Sequence, residues 1–110
     1  MSDFTEALEN FRAASEEVLI AHFARNEFTF AVPGIEIGKG GKRFRKLWRT
    51  ETFTGHETRR NSIHAFVEIE TGLIFKPAST KAPAKHARGN VYENAGRDCL
   101  TDAGHVHYLR

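Results

Sequence analysis

Apolar residues recur along the chain with two different periods. Over residues 4–25, Phe4, Leu8, Phe11, Ser15, Val18, Leu19 and His22 return at three- and four-residue spacing. That period places them on one stripe of an amphipathic helix. Asp3 followed by Glu6 forms a capping pair, acids in the first turn suit the positive end of the helix dipole, and Asn26 is a stop. An acidic outer face and an aromatic inner stripe describe a helix laid on a sheet. From residue 27 the period shortens to two. Phe28, Phe30 and Val32 alternate with Glu27, Thr29 and Ala31. Pro33-Gly34 reads as a turn pair, and Ile35 and Ile37 continue as a short strand. Gly38-Lys39-Gly40-Gly41 is then a flexible loop.

Residues 43–50 read as a strand with Phe44 and Trp48 on one face and Arg43, Arg45, Leu47 and Arg49 on the other. Residues 51–62 are polar, with Gly55 and Arg59-Arg60, and read as a long exposed loop. The clearest hairpin is 63–76. Ile63, Ala65, Val67 and Ile69 alternate with His64, Phe66 and Glu68, Gly72 supplies the turn, and Leu73-Ile74-Phe75 returns. Pro77 ends that strand because it offers no N–H to the ladder. Residues 80–89 read as two turns of helix: Ser79 or Thr80 caps it, Pro83 sits in its first turn, and Gly89 stops it. Near the end, Val106 and Tyr108 suit a terminal strand. The expected fold is therefore α+β. An N-terminal helix packs on an antiparallel sheet of three to five strands, with a short basic helix after the main hairpin. One domain is expected over 1–110: helix 4–25, sheet region 27–76, short helix 80–89 and a C-terminal segment 90–110.

Composition narrows the class. The chain has 110 residues, 40% hydrophobic and 27% charged, which is globular and argues against wholesale disorder. No apolar run approaches the ~18 residues of a membrane span. The acidic start lacks the basic-then-apolar order of a signal peptide. The lone Cys99 has no internal disulfide partner, which points to a reducing cytosol.

The net charge of +2 hides a segregation. Residues 1–37 hold two basic and seven acidic residues, and residues 38–110 hold 14 basic and seven acidic. Lys39, Lys42, Arg43, Arg45, Lys46 and Arg49 have no acid among them, and neither do Lys76, Lys81, Lys85 and Arg88. Such clusters attract anions, nucleic acid included; the same charges also serve simply to solvate a face. On the expected helix 80–89, Lys81, Lys85 and Arg88 project from one side, with Lys76 and Ser79 at its start. The candidate ligand-binding set is Lys76, Ser79, Lys81, Lys85 and Arg88, helped by Arg43, Arg45 and Arg49. If Trp48 or Phe66 is exposed, stacking beside arginines suits the bases of a single strand or a nucleotide. Otherwise these rings fill the space between sheet and helix.

Other chemistries find little footing. Gly34-Ile35-Glu36-Ile37-Gly38-Lys39-Gly40 is one residue short of a phosphate loop and has Gly40 where Ser or Thr would hold a metal. His105, His107, Cys99, Asp98 and Asp102 lie close in sequence but without metal-ligand spacing. His22 reads as a hydrogen-bonded core histidine, and His86 as part of a basic face. Glu68 and Glu70 share a strand face and could pair as carboxylates, but Glu68 reads as a solvent-facing strand residue; Cys99 with His105 or His107 could be nucleophile and base, but no elbow or family signature surrounds it. A non-catalytic protein without metal or cofactor is expected.

Residues 63–92 carry a short strand, a Thr-Gly turn, Ile74-Phe75-Lys76-Pro77-Ala78-Ser79 and then Lys81-Ala82-Pro83-Ala84-Lys85-His86-Ala87-Arg88-Gly89-Asn90. With Lys46-Leu47-Trp48-Arg49, this half of the chain resembles a family of small proteins of unknown function encoded by tailed bacteriophages. Thr80 departs from its pattern, where an aromatic tends to stand. The resemblance carries no catalytic residue. It implies a phage product in the cytoplasm of an infected bacterium. The expected activity is binding of nucleic acid or a nucleotide, the latter pointing to an oligomer. The alternatives are inhibition of a host or defence protein, through the acidic helix face or the 51–62 loop, and a minor virion role.

Overall fold

The computed structural model describes residues 3–27, 31–39 and 41–106. Its first element is helix α1, Phe4–Arg25, with Asp3 as N-cap. The Asp3 carboxylate accepts from the Glu6 amide at 2.9 Å, satisfying one of the free N–H groups of the first turn. Five strands follow: β1 Val32–Ile37, β2 Phe44–Thr52, β3 Arg59–Glu68, β4 Leu73–Pro77 and β5 Pro83–Asn90. They form one antiparallel meander in the order β1-β2-β3-β4-β5. A short 3₁₀ segment, η1, covers Asn94–Cys99, and Leu100 and Val106 form an isolated bridge beyond it.

One face of the sheet lies against α1. Ile35, Leu47, Ala65, Val67 and Ile74 join Ala7, Leu8, Phe11 and Leu19 in a single core, closed by Val91, Cys99 and Val106. Gly96 packs directly on this core. Its φ is +73°, and a Cβ there would lie 2.5 Å from Phe11 and 2.7 Å from Ile74. Glycine is therefore required both for the left-handed backbone and for the space. Gly89 is needed for space alone, since a Cβ would stand 2.9 Å from the Cys99 Cβ.

Several sequence expectations change here. Residues 83–90 are a strand and not a helix. Their alanines favour a helix, but eight residues gain little from propensity after paying for nucleation. Pairing covers the otherwise bare edge of β4, with Leu73 opposite Asn90 and Phe75 opposite Ala87. Pro83 stands opposite Pro77 where the strands open, so neither missing N–H interrupts the ladder. Pro33-Gly34 lies inside β1, an edge strand that tolerates proline, rather than in a turn. The expected strand start at 27–31 is not seen: Glu27 is in a turn and β1 begins at Val32, while Phe28–Phe30 lie outside the described residues. The 51–62 loop shrinks to 53–58, because β2 and β3 extend into it. Val106 forms a bridge rather than a strand, and Tyr108 and His107 lie outside the described residues.

Candidate nucleic-acid interface

The second face of the sheet carries residues that take no part in the core cluster: Phe44, Trp48, Ile63, Phe66 and Phe75. Alternation along β2 sends Leu47 into the core and Phe44, Lys46 and Trp48 to the other side. In the register, Lys46 faces Phe66 and Phe66 faces Phe75, which sets up a cross-strand row. Phe44 meets Phe66 and Phe75 edge-to-face, with centroids 6.0 and 5.8 Å apart. Phe66 is buried beneath its neighbours, whereas Phe44, Trp48 and Phe75 remain partly exposed.

Each of the rings Phe44, Phe66 and Trp48 has a cation over it. The Arg43 guanidinium lies 5.0 Å from the Phe44 centroid, the Lys46 ammonium 5.7 Å from Phe66, and the Arg60 guanidinium 4.9 Å from Trp48. These are cation–π distances. Arg43 also pairs with Glu68 at 2.9 Å and Arg60 with Glu36 at 2.8 Å. Hydrogen bonds from Thr71 and Arg43 hold the Glu68 carboxyl below its usual range. Lys46 donates to the Thr80 carbonyl at 2.6 Å, anchoring the 78–82 hairpin loop at the rim of this face. Within that loop Ser79 Oγ accepts from the amides of Lys81 and Ala82, so the hydroxyl is spent on the turn.

A second positive group sits on the core side. Lys76 donates to the Val106 carbonyl at 2.8 Å, and the Arg49 guanidinium contacts both ring nitrogens of His105. Burial lowers the Lys76 ammonium, and the charges of Arg88 and Arg49 lower it further. Burial also lowers Arg49, and it lowers His105 together with Arg49, Lys76 and His22. Beneath them His64 is 3% exposed and its Nε2 lies 3.0 Å from Ser15 Oγ, which is fully buried. The ring stacks on Phe11 at 5.7 Å, and among the described residues Nδ1 has no hydrogen-bond partner. Burial first, then Arg49, His105 and Lys76, push the His64 pKa down to about 3. A β-bulge explains its position. Leu47 faces Ala65 and Trp48 faces Ile63, so His64 is the extra residue of β3 and turns inward.

The eight expected ligand residues thus separate. Lys76 lies on the core side, where the charges of both Arg88 and Arg49 reach it. Arg43 reaches the aromatic face, while Arg45 bonds the Gly41 carbonyl. Ser79 and Lys81 lie in the 78–82 loop and Lys85 is exposed on β5. The helical alignment of Lys81, Lys85 and Arg88 does not exist, because the segment is extended and Arg88 occupies a bulge between Ala87 and Gly89. Lys46 and Arg60 are the cations the sequence reading left out of the set. Lys46 shares its parity with Phe44 and Trp48, and that spacing was a usable signal. Cys99 is buried, and burial lifts its thiol to about 12, so it is no nucleophile. Among the described residues no group of His, Cys, Asp and Glu is arranged to hold a metal, and no helix is long and apolar enough to cross a membrane.

The family of unknown function DUF7717 matches residues 3–109, and the chain belongs to it. No curated protein and no solved structure matches the chain.

Proposed function

We propose that this member of the DUF7717 family is a non-catalytic binding protein for an anionic ligand, nucleic acid first and a nucleotide second. Its contact surface is the aromatic face of the sheet. The observation that carries the reading is the trio of cations on rings: Arg43 on Phe44, Lys46 on Phe66 and Arg60 on Trp48. Rings offer bases a flat apolar partner, and cations beside them neutralise phosphates. The charge segregation supports this, since residues 38–110 hold twice as many basic as acidic residues. The phage resemblance extends the proposal to a product acting in the cytoplasm of an infected bacterium, where a small binder of this kind serves takeover of the host or evasion of its defences.

Inhibition of a host or defence protein through the acidic helix face is the weaker reading. Three of the four acids of α1 are engaged within the chain: Arg12 pairs with Glu9 and Glu16, and Arg97 pairs with Glu17.

Anisotropy of a labelled oligonucleotide tests the proposal. Binding should weaken linearly in log affinity against log salt. Lys46→Glu and Arg60→Glu should each weaken it and flatten that slope by about one phosphate contact. Lys85→Glu should change it far less. An absence of binding at low salt, or binding that ignores salt and both substitutions, overturns the reading.

A further inference from the structure

We infer that the aromatic face takes single-stranded nucleic acid, with one base stacked on Trp48, a second on Phe44, and the intervening phosphates passing over Lys46. The inference rests on the proposal above and adds strand state, register and minimum length.

Three observations lead to it. The first is the spacing. Phe44, Lys46 and Trp48 lie on one face of one strand. Four residues of antiparallel strand rise about 13 Å in total. Stacked bases in a duplex strand follow one another every ~3.4 Å, so the two rings span about four stacked nucleotides, or fewer extended ones. A mononucleotide has one base and meets one ring; only a chain reaches both.

The second is the width. Five strands at ~4.8 Å make a sheet about 19 Å across, wider than the ~12 Å major groove of B-form DNA. A helix or a two-stranded ribbon enters that groove; this face does not. Duplex bases also show their faces only to each other, so stacking on Trp48 and Phe44 requires unpaired bases.

The third is the order of side chains along β2. Arg43 precedes Phe44, Lys46 stands between Phe44 and Trp48, and Arg60 reaches Trp48 from β3. Cation and ring alternate in the order that phosphate and base alternate in a single strand. Arg60 holds Glu36 while it rests on the indole. A base arriving at Trp48 displaces the guanidinium from the ring and offers it a phosphate in exchange. Gly38 packs on the edge of the indole, where a Cβ would fall 2.8 Å from Nε1, so the ring is braced in one orientation.

Trp48 is the only tryptophan in the chain, so intrinsic emission reports this site alone. The experiment titrates the protein with thymidine oligonucleotides of two to twelve nucleotides, and with a duplex of matched length, recording Trp48 emission and the anisotropy of a labelled strand. Quenching should track anisotropy for single strands and reach its full depth from about four nucleotides upward. The duplex should bind at least tenfold more weakly. Trp48→Leu should lose about 5- to 150-fold in affinity, the range for one stacked base. Its salt slope should remain, while Trp48→Phe keeps most of the affinity, which separates lost stacking from lost folding. Oligonucleotide binding without any change in Trp48 emission overturns the inference and leaves the anionic-ligand proposal standing. Equal affinity for the duplex does the same. No anisotropy change with any strand at low salt overturns both.

Discussion

Lowering the pH from neutral to 5 should destabilise this protein chiefly through one residue, His64. His64 sits in the core with its pKa near 3, whereas an unfolded histidine titrates near 6.5. Above pH 6.5 neither state holds the extra proton, so His64 leaves stability unchanged there. Below 6.5 the unfolded chain takes the proton and the folded chain refuses it, so stability falls as pH falls, down to about pH 3. The loss is about 1.4 kcal/mol per pH unit once the unfolded chain is fully protonated. Between pH 7.5 and 5.0 the cost is about 2 kcal/mol, a large share of the roughly 5–15 kcal/mol that holds a domain together. His105, lowered in the same direction, adds a smaller slope of the same sign. Glu68 acts below the ordinary carboxylate range and stays out of this window.

The groups bearing on His64 are Ser15 from α1, Arg49 from β2, Lys76 from β4 and His105 from the C-terminal segment. The clean perturbation is the double variant Ser15→Ala/His64→Phe. It keeps a ring on Phe11 and removes both members of the hydrogen bond, so neither is left buried and unpaired. Urea midpoints, followed by circular dichroism at pH 7.5, 6.5, 5.75 and 5.0 and constant ionic strength, give stability against pH. The wild type should lose about 2 kcal/mol more than the double variant across this range. Equal slopes in the two proteins would refute the assignment of acid sensitivity to His64.

Three further outcomes follow from the packing. Gly96→Ala should cost about 2–4 kcal/mol in urea unfolding, combining a left-handed alanine with overpacking against Phe11 and Ile74; a loss under 1 kcal/mol would contradict the contact. Cys99 should resist alkylation at pH 8 in the native protein and react at once in denaturant, because it is buried with its thiol near 12. Asp3→Ala should lower stability by about 0.5–2 kcal/mol through loss of the cap to Glu6, read from the thermal midpoint.

Much of the fold was legible where one local signal dominated. The helix stripe from Phe4 to His22 and the Asp3 cap fixed α1 to the residue. The alternation around the Gly72 turn marked β3 and β4, and Gly72 does take a φ of +77°. The 83–90 segment was not legible, because its strand state comes from the bare edge of β4 and not from its own residues. The inward turn of His64 was hidden as well. Strict alternation puts His64 beside Phe66, and only the bulge opposite Leu47 and Trp48 moves it to the core side. For the candidate site, Phe44 and Trp48 were paired on one face by parity, but the arginines at 45 and 49 share the parity of Leu47, which the core claims. Lys46 was the cation on the aromatic side. Arg60 joined it only because β3 starts earlier than its apolar run suggests.

On the proposed function, the aromatic face, and not the Arg49–Lys76–His105 group, meets the ligand. Amide and indole chemical-shift mapping by ¹H–¹⁵N NMR, on adding a short single-stranded oligonucleotide, tests it most directly. Shifts should concentrate at residues 43–48, at Arg60 and Phe66, at Phe75 and at the Trp48 indole N–H, with residues 100–106 unmoved. Shifts centred on Arg49, Lys76 and residues 100–106, or no shifts at saturating oligonucleotide, would contradict it.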